Sequence, residues 1–400
     1  MAKVLVTEKY LQDIGDAIRS KNRSKDKYRP SEMATQINNL EAGMDMADYF
    51  SGKSTEINDK NGIVTSIAGH AFPAQTGSDT SVLTSVSFPK VTTVGERAFY
   101  GNQNLVTLNL PEVTEIGAYA FNQCNKLKTV TIPKCTKIGD RAFQKCGAIT
   151  SLNISNIEYL GEFALSETKL VGDVTYNSLT HAGRQCLTDT GGITSITVPS
   201  LTNSGLYNGD GSWGGSFSGL KNLRSFNGPL ITEIAGGMFF NCTSLTTVNT
   251  GTLTRIGDNG FGKCSSLTSI DLSKCTRLDD DALNNTGLTG SITLPECAYV
   301  GSDTFNNCTS ITEIILPKVK HVGRWSFEYC ANLASLVIGS QSDTSVCEAY
   351  NDPVPHTKIA SGNGYIYVAD SLVDSYKAAR YWKTFAAQIK PLSEYPATTA

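Results

Sequence analysis

A phenylalanine that returns at one fixed interval constrains this chain more than any other feature. Aligned on the residue that follows a small side chain in GERAF, GAYAF and GDRAF, the position reads Phe72, Phe99, Phe121, Phe143, Leu165, Leu187, Phe217, Phe239, Phe261, Leu283, Phe305 and Phe327. Nine of the eleven spacings are 22 and the other two are 27 and 30. Repetition at such a period marks a solenoid, in which a unit buries its apolar side only against its neighbours.

Each unit reads L-x-x-V-x-L-P-x-V-x-x-I-G-x-x-A-F-x-x-C. The first apolar position is Leu83, Leu105, Leu127, Ile149, Leu170, Ile193, Leu223, Leu245, Leu267, Leu288 and Ile311, and in most units two more apolar residues lie three and five further on, as in Val86 and Phe88 or Leu108 and Leu110. Apolar residues separated by one polar residue have the period of a strand. Proline closes that strand at Pro89, Pro111, Pro133, Pro199, Pro229, Pro295 and Pro317, where its missing N–H is harmless. Glycines such as Gly95, Gly117, Gly139 and Gly257 follow, at points where the backbone turns sharply. The A-F-x-x-C stretch has room for a turn or two of helix. The spacing predicts an α/β-type solenoid, mostly β, of about eleven units, with one long parallel sheet on one side and a length on the order of 50 Å.

The segments LTSVSFPKVTTVGERAFYGNQN and LVTLNLPEVTEIGAYAFNQCNK, from Leu83 and Leu105, resemble the BspA-type leucine-rich repeats, common in surface and phage proteins of anaerobic and gut bacteria. The resemblance covers residues 63–338. It implies a leucine-rich-repeat solenoid used as a binding surface, implies no catalysis, and leaves the ligand open.

Residues 1–44 lie outside the repeat. Leu11, Ile14 and Ile18 have helical spacing with Thr7 as an N-cap, and a second helix starts at Pro30-Ser31 with Met33, Ile37 and Leu40 on one face. Read from residues alone this is a small helical cap. YLQDIGDAIRSKN and YRPSEMATQI also resemble a short module of Firmicutes phage tail and tail-fibre proteins, which implies an attachment or assembly segment. Residues 45–62 then form a linker and the start of a cap, 63–338 the repeats, and 339–400 a C-terminal cap. In the last, Tyr365 to Val368 reads as a strand and Asp370 as the N-cap of a helix carrying Leu372, Val373, Tyr376 and Ala379.

Eleven cysteines invite a disulfide or metal reading, and their phase opposes it. Six (124, 146, 242, 264, 308 and 330) lie three residues after the repeat phenylalanine; Cys135, Cys275 and Cys297 lie eight before it, where other units carry Val91, Val113, Ile157 or Val319. The expectation is buried, reduced thiols acting as small hydrophobes. No C-x-x-C pair occurs, and no G-x-S-x-G, H-E-x-x-H or Walker element is present. His181 and His321 share a phase but sit six repeats apart. No catalytic residue, metal ligand or cofactor is expected. Thirty-four basic against 37 acidic residues give a net charge of −3, which argues against a general nucleic-acid binder. No apolar run of about 18 residues exists to span a membrane, and Met1 to Tyr10 carries no apolar stretch of a secretory signal.

Two surfaces are candidates for binding. The spacing of 30 between Leu187 and Phe217 marks an insertion around YNGDGSWGG, and solenoid insertions map to loops on one face, often the binding face. There Trp213 with Tyr207 would stack on a sugar ring while Asn208 and Asp210 hydrogen-bond its hydroxyls; the alternative is Trp213 folded back as a plug. The second is the row two positions before the repeat phenylalanine, where Arg97, Tyr119, Arg141 and Phe163 cluster, against the alternative of an ordinary exposed rim. The strand faces carry mostly Ser, Thr and Asn and read as solubilising. The leading expectation is a non-enzymatic, phage-tail-associated recognition protein in the virion. Residues 1–44 would attach it to a tail structural protein, and the solenoid would bind a host-surface glycan or protein. The alternatives are a BspA-like cell-surface or secreted adhesin and a cytosolic scaffold; homo-oligomerisation stays open.

Overall fold

The computed structural model describes residues 55–60, 62, 64–72, 82–202 and 215–396. The helices expected in residues 1–44, and the Tyr207 to Trp213 segment, lie outside the described residues. The chain divides into two compact units, residues 1–193 and 194–400.

The two units are parallel-strand β-solenoids, and a repeat contributes up to two short strands. In unit 1 the expected strands Ser85–Ser87, Thr107–Asn109 and Thr129–Thr131 pair in parallel and in register, Ser85 beside Thr107 beside Thr129, and Glu56–Asn58, inside the stretch read as linker and start of a cap, adds a strand to them. A second ladder runs through Ser66–Ile67, Thr93–Val94, Glu115–Ile116, Lys137–Ile138, Tyr159–Leu160 and His181–Ala182. Sequence reading placed one sheet and missed this one. Its strands are two residues long, too short to show alternation, yet each puts one aliphatic side chain into the core. Unit 2 repeats the scheme, with a second ladder from Glu233–Ile234 through Arg255–Ile256, Arg277–Leu278, Tyr299–Val300 and His321–Val322 to Glu348–Ala349.

The repeat phenylalanines form the spine of the core. Phe99, Phe121 and Phe143 are fully buried and stack at 5.2 Å; Phe239 and Phe261 stack at 5.2 Å in unit 2. Face-to-face rings one rung apart bring the offset-stacking gain on top of area burial. The glycine four residues ahead of the repeat position in most units is there for space rather than for φ. A Cβ on Gly117 would sit 2.8 Å from the backbone N of Glu96, and one on Gly183 would sit 2.6 Å from the carbonyl carbon of Gly161. At these rungs neighbouring backbones touch, which favours glycine; Ala235 and Asp279 stand at the same position where it is not glycine.

The A-F-x-x-C stretch is turn, not helix. Two residues per unit have left-handed backbone, two before and two after the phenylalanine: Arg97 (φ 53°) and Gly101 (76°), Tyr119 (57°) and Gln123 (64°), Arg141 (54°) and Lys145 (65°). A left-handed L-residue costs about 1–2 kcal/mol. Rung-to-rung hydrogen bonds impose the conformation: Arg97 N–H donates to Ala118 O at 2.9 Å, Tyr119 to Asp140 at 2.8 Å and Arg141 to Glu162 at 2.7 Å.

All eleven cysteines are free and buried, and nine of them fall into two columns. Those three residues after the phenylalanine donate from Sγ to the carbonyl at the phenylalanine position one unit back, at 3.1–3.3 Å, for Cys124, Cys146, Cys242, Cys264, Cys308 and Cys330. The same position is Asn102, whose Nδ2 donates to Phe72 O at 2.7 Å, and Thr168 and Thr286, whose hydroxyls donate to Leu165 O and Leu283 O. This column holds buried donors, so reading its cysteines as plain hydrophobes needs correction. In the other column Cys135, Cys275 and Cys297 donate to the carbonyl two residues on, at 3.2–3.4 Å, but Val91, Val113 and Ile157 fill the same buried position without a donor, so the small-hydrophobe reading holds better there.

The C-terminal strand Tyr365–Val368 forms as expected, between Ser335–Ile338 and Ile389–Pro391. The helix Val373–Ala378 follows a 3-10 turn, Asp370–Leu372. Asp370 does not cap it: Ala369 holds the N-cap position of the turn. The Asp370 carboxylate instead accepts from Gln341 Nε2 at 2.7 Å and Ser393 N at 3.0 Å, tying the cap together. Tyr376 and Trp382 close the end of unit 2. Tyr376 Oη accepts from Cys347 N and Trp382 Nε1 donates to Cys347 O, each at 2.9 Å.

Candidate functional site

The side chains two before the repeat phenylalanine share left-handed backbone, and in unit 1 they form a continuous stack. Arg97 Cζ lies 4.9 Å from the ring centre of Tyr119, and Arg141 Cζ lies 5.6 Å from that same ring. Arg141 is also 4.6 Å from the ring of Phe163, whose other neighbour is Arg184 at 5.4 Å. The order is therefore Arg97, Tyr119, Arg141, Phe163, Arg184, cation alternating with ring. The structure thus brings together all four residues of the predicted row and adds Arg184, which sits one position out of phase and escaped the column reading.

Stacking along the rungs has a chemical consequence. Each interior ring has both faces covered by a guanidinium, and Arg141 has both faces covered by rings. What remains for a ligand is the edge: ring C–H, Tyr119 Oη and the guanidinium N–H groups. Arg141 Nη1 donates to Tyr119 Oη at 3.0 Å. Glu96 lies 3.7 Å from Arg97, and Glu162 3.7 Å from Arg184; among the described residues no carboxylate comes within ion-pair distance of Arg141. At the N-terminal end of the row, His70, Arg97, Tyr100 and Tyr119 line an open cleft, where Tyr100 Oη accepts from Gln123 Nε2 at 3.0 Å.

The same rim in unit 2 carries other chemistry. Asn259, Asp281, Asp303 and Trp325 hold the left-handed position, with Asp258, Asp280 and Arg324 beside them. Burial first, and the neighbouring aspartates second, push the Asp258 and Asp281 carboxyls above the usual carboxylate range. Trp325 is covered by Arg324 at 4.1 Å.

A third column went unnoticed in the sequence. The first residue of each two-residue strand gives Lys137, Tyr159, His181 in unit 1 and Arg277, Tyr299, His321 in unit 2, the two sets matching position for position. Tyr159 stacks on His181 and Tyr299 on His321, each at 4.3 Å. Burial first, and Arg277 in part, hold His321 below the ordinary imidazole range. The shared phase of the two histidines was the available signal; the tyrosines between them and their cations become neighbours only once the rungs are in register. Lys137 is paired with Glu115 at 2.7 Å, and Arg277 hydrogen-bonds Asp279.

Among the described residues, no group of three or more His, Cys, Asp and Glu could hold a metal ion, and no helix is long and apolar enough to cross a membrane. Strand ladders, a phenylalanine spine and an outward rim together define a leucine-rich-repeat solenoid. Within that class the chain belongs to the BspA type leucine rich repeat region family, whose model matches residues 92–207, 214–298 and 277–359 in six copies. The match leaves 208–213 open, within the inserted segment. No curated protein matches the chain. Among solved structures it is similar to a leucine-rich repeat protein from Bacteroides ovatus, at 19% identity over 71% of this chain and 89% of that one, TM-score 0.31. It is also similar to a leucine rich cell surface protein from Faecalibacterium prausnitzii, at 21% over 71% and 87%, TM-score 0.35. The pneumococcal vaccine antigen PcpA shares 15% over 82% and 83%, TM-score 0.43. At such identities the likeness concerns the fold alone.

Proposed function

We propose that this chain is a non-enzymatic recognition protein, displayed on a bacterial surface or secreted, that binds a partner protein along the unit 1 rim. Membership of the BspA-type family favours surface display over the virion, and no comparison supports the phage-tail reading of residues 1–44. The observation that carries the proposal is the stack from Arg97 to Arg184, exposed at Arg97 and half-buried along the rest. Arginine and tyrosine dominate binding hot spots, and here they are held in one conformation before any partner arrives, which lowers the ordering cost of association. Covered ring faces leave no flat platform for a sugar at the interior rungs, so a protein suits the row better than a glycan.

The test is an array of surface proteins and glycans probed with the labelled chain. Protein targets are expected, and Tyr119→Ala with Arg141→Ala should reduce binding to them about tenfold or more. Unchanged binding by a double variant that melts like the parent rejects the row. A second location is the insertion carrying Tyr207, Asn208, Asp210 and Trp213, favoured by the lengthened spacing there. Glycan binding lost in Trp213→Ala, with the rim variant unaffected, would move the site there.

A further inference from the structure

We infer that the unit 1 row takes an acidic peptide in the polyproline II conformation, with one carboxylate on Arg97 and a second, three residues along the peptide, on Arg141. This deepens the reading of the row as the binding site and rests on it.

The first observation is which donors are left. Both faces of Arg141 are covered, by Tyr119 at 5.6 Å and Phe163 at 4.6 Å, and one of its N–H groups is on Tyr119 Oη. Its remaining N–H groups point along the edge and, among the described residues, meet no carboxylate. Arg97 is exposed, makes no side-chain hydrogen bond among the described residues, and has only Glu96 near it, at 3.7 Å. A guanidinium fork held by stacking is preorganised for bidentate contact with a carboxylate. Arg184, at the far end, already has Glu162 beside it.

The second observation is spacing. Arg97 and Arg141 occupy the same position two rungs apart, with Tyr119 between them, and parallel rungs lie about 4.7–4.9 Å apart. The phenylalanines two residues along stack at 5.2 Å per rung, so the two forks are about 10 Å apart. A β-strand places side chains on one face at about 6.7 or 13 Å. Polyproline II turns once every three residues with about 3.1 Å rise, which puts residues i and i+3 on one side about 9.3 Å apart. An α-helix reaches a similar span at i and i+7, about 10.5 Å, and the lining separates the two.

The third is the lining. Grooves that take polyproline II segments are walled by aromatic side chains against which proline rings pack. The cleft at the Arg97 end is walled by Tyr100, Tyr119 and His70. One fork, Arg97, lines that cleft, and Arg141 stands one rung beyond Tyr119.

The experiment uses the full chain and three labelled peptides of equal glutamate count, with prolines setting the glutamates two, three or four residues apart. Binding is read by fluorescence anisotropy at low and physiological salt. The three-residue spacing should bind about tenfold tighter than the other two, the size of one lost charge-assisted contact, and should weaken with salt. Arg97→Gln and Arg141→Gln should each lower that affinity about tenfold, and Arg141→Lys should fail to restore it because lysine lacks the fork. Lys128→Gln and Lys169→Gln, exposed lysines of the same unit, control for net charge and should leave affinity unchanged; thermal melts confirm that every variant is folded. Equal affinity for all three spacings overturns the inference, as does tighter binding to polygalacturonate, which would make the ligand an acidic polysaccharide. If rim variants lose array targets while the peptides show no spacing preference, the site stands and its assigned ligand falls. If folded arginine variants keep both activities, both fall.

Discussion

Two before the repeat phenylalanine, unit 1 carries Arg97, Tyr119, Arg141 and Phe163, and unit 2 carries Asn259, Asp281, Asp303 and Trp325. Their φ angles nevertheless lie between 53° and 58° in all eight. In unit 2 the same rung bonds hold them, Asn259 N to Asp280 O at 2.9 Å and Asp281 N to Ser302 O at 2.8 Å. Residues as unlike as arginine, aspartate and tryptophan share one strained conformation because the neighbouring rung, not the side chain, sets it. The frame is thus indifferent to what stands on the rim, and the rim is free to carry chemistry. Unit 1 uses this freedom for a cation and ring stack, unit 2 for a cluster of aspartates.

Alkaline pH should separate the two units most. Burial raises the thiol pKa of all four cysteines in unit 1 and all seven in unit 2. Cys135, Cys242 and Cys275 are pushed up to about 12, and Cys297 and Cys308 to about 11, from 9.0. A raised folded-state pKa gives stability that is complete below about pH 9 and lost as pH climbs towards 11–12. Each thiol contributes up to about 1.4 kcal/mol per pH unit in that window, so the three extra thiols should make unit 2 unfold at lower pH. All three tryptophans lie beyond residue 193, so their fluorescence follows unit 2, while hydrogen exchange of the Phe99 to Phe143 rungs follows unit 1. Unit 1 opening first would refute the ordering.

The next effect tests whether the frames are equivalent. Phe121→Ala and Phe261→Ala each remove a buried ring from a 5.2 Å stack and should each cost about 3–5 kcal/mol in denaturant melts. A twofold disparity would mean that the units differ in their cores as well as at their rims.

Smaller, and specific to the two thiol columns, is the contrast between Cys146→Val and Cys135→Val. The first removes one of two donors to Phe121 O, with Cys124 N remaining at 3.1 Å, and should cost about 0.5–1.5 kcal/mol. The second loses a longer thiol contact to Lys137 O, at 3.4 Å, but puts valine where Val91 and Val113 stand, and should cost less than about 0.5 kcal/mol. Equal costs would erase the distinction between donor and filler.

The smallest effect returns to the rim. Asp303→Gly relieves a left-handed L-residue but gives up the acceptor of Asn306 Nδ2 at 2.7 Å, on a half-buried rim, and should stabilise by no more than about 0.5 kcal/mol. Arg141→Gly relieves the same strain but loses two ring contacts, each about 0.5–1 kcal/mol, and should come out near neutral or destabilising. Identical gains would show that the stack adds nothing to stability.

The sequence by itself determined the period, the buried phenylalanine, the first strand, the terminal proline and the absence of pairing among the cysteines, because each of these repeats at a fixed phase and burial is read directly from that phase. The row Arg97, Tyr119, Arg141, Phe163 was legible for the same reason, as a column of large side chains at one position. Only the tertiary structure decided what lies between the columns. Two-residue strands such as Glu115–Ile116 are too short to print a period, and hydrogen bonds from the neighbouring rung make them strands. The left-handed residues have no common type, so propensity cannot mark them. Gly117 is glycine because the backbone of Glu96 approaches it, and Cys146 is a donor because the Phe121 carbonyl faces it. Arg141 is a sandwiched cation because the rings one repeat before it and one repeat after it come to rest on its faces. Each of these depends on a contact between rungs, and such contacts exist only after the chain has stacked in register.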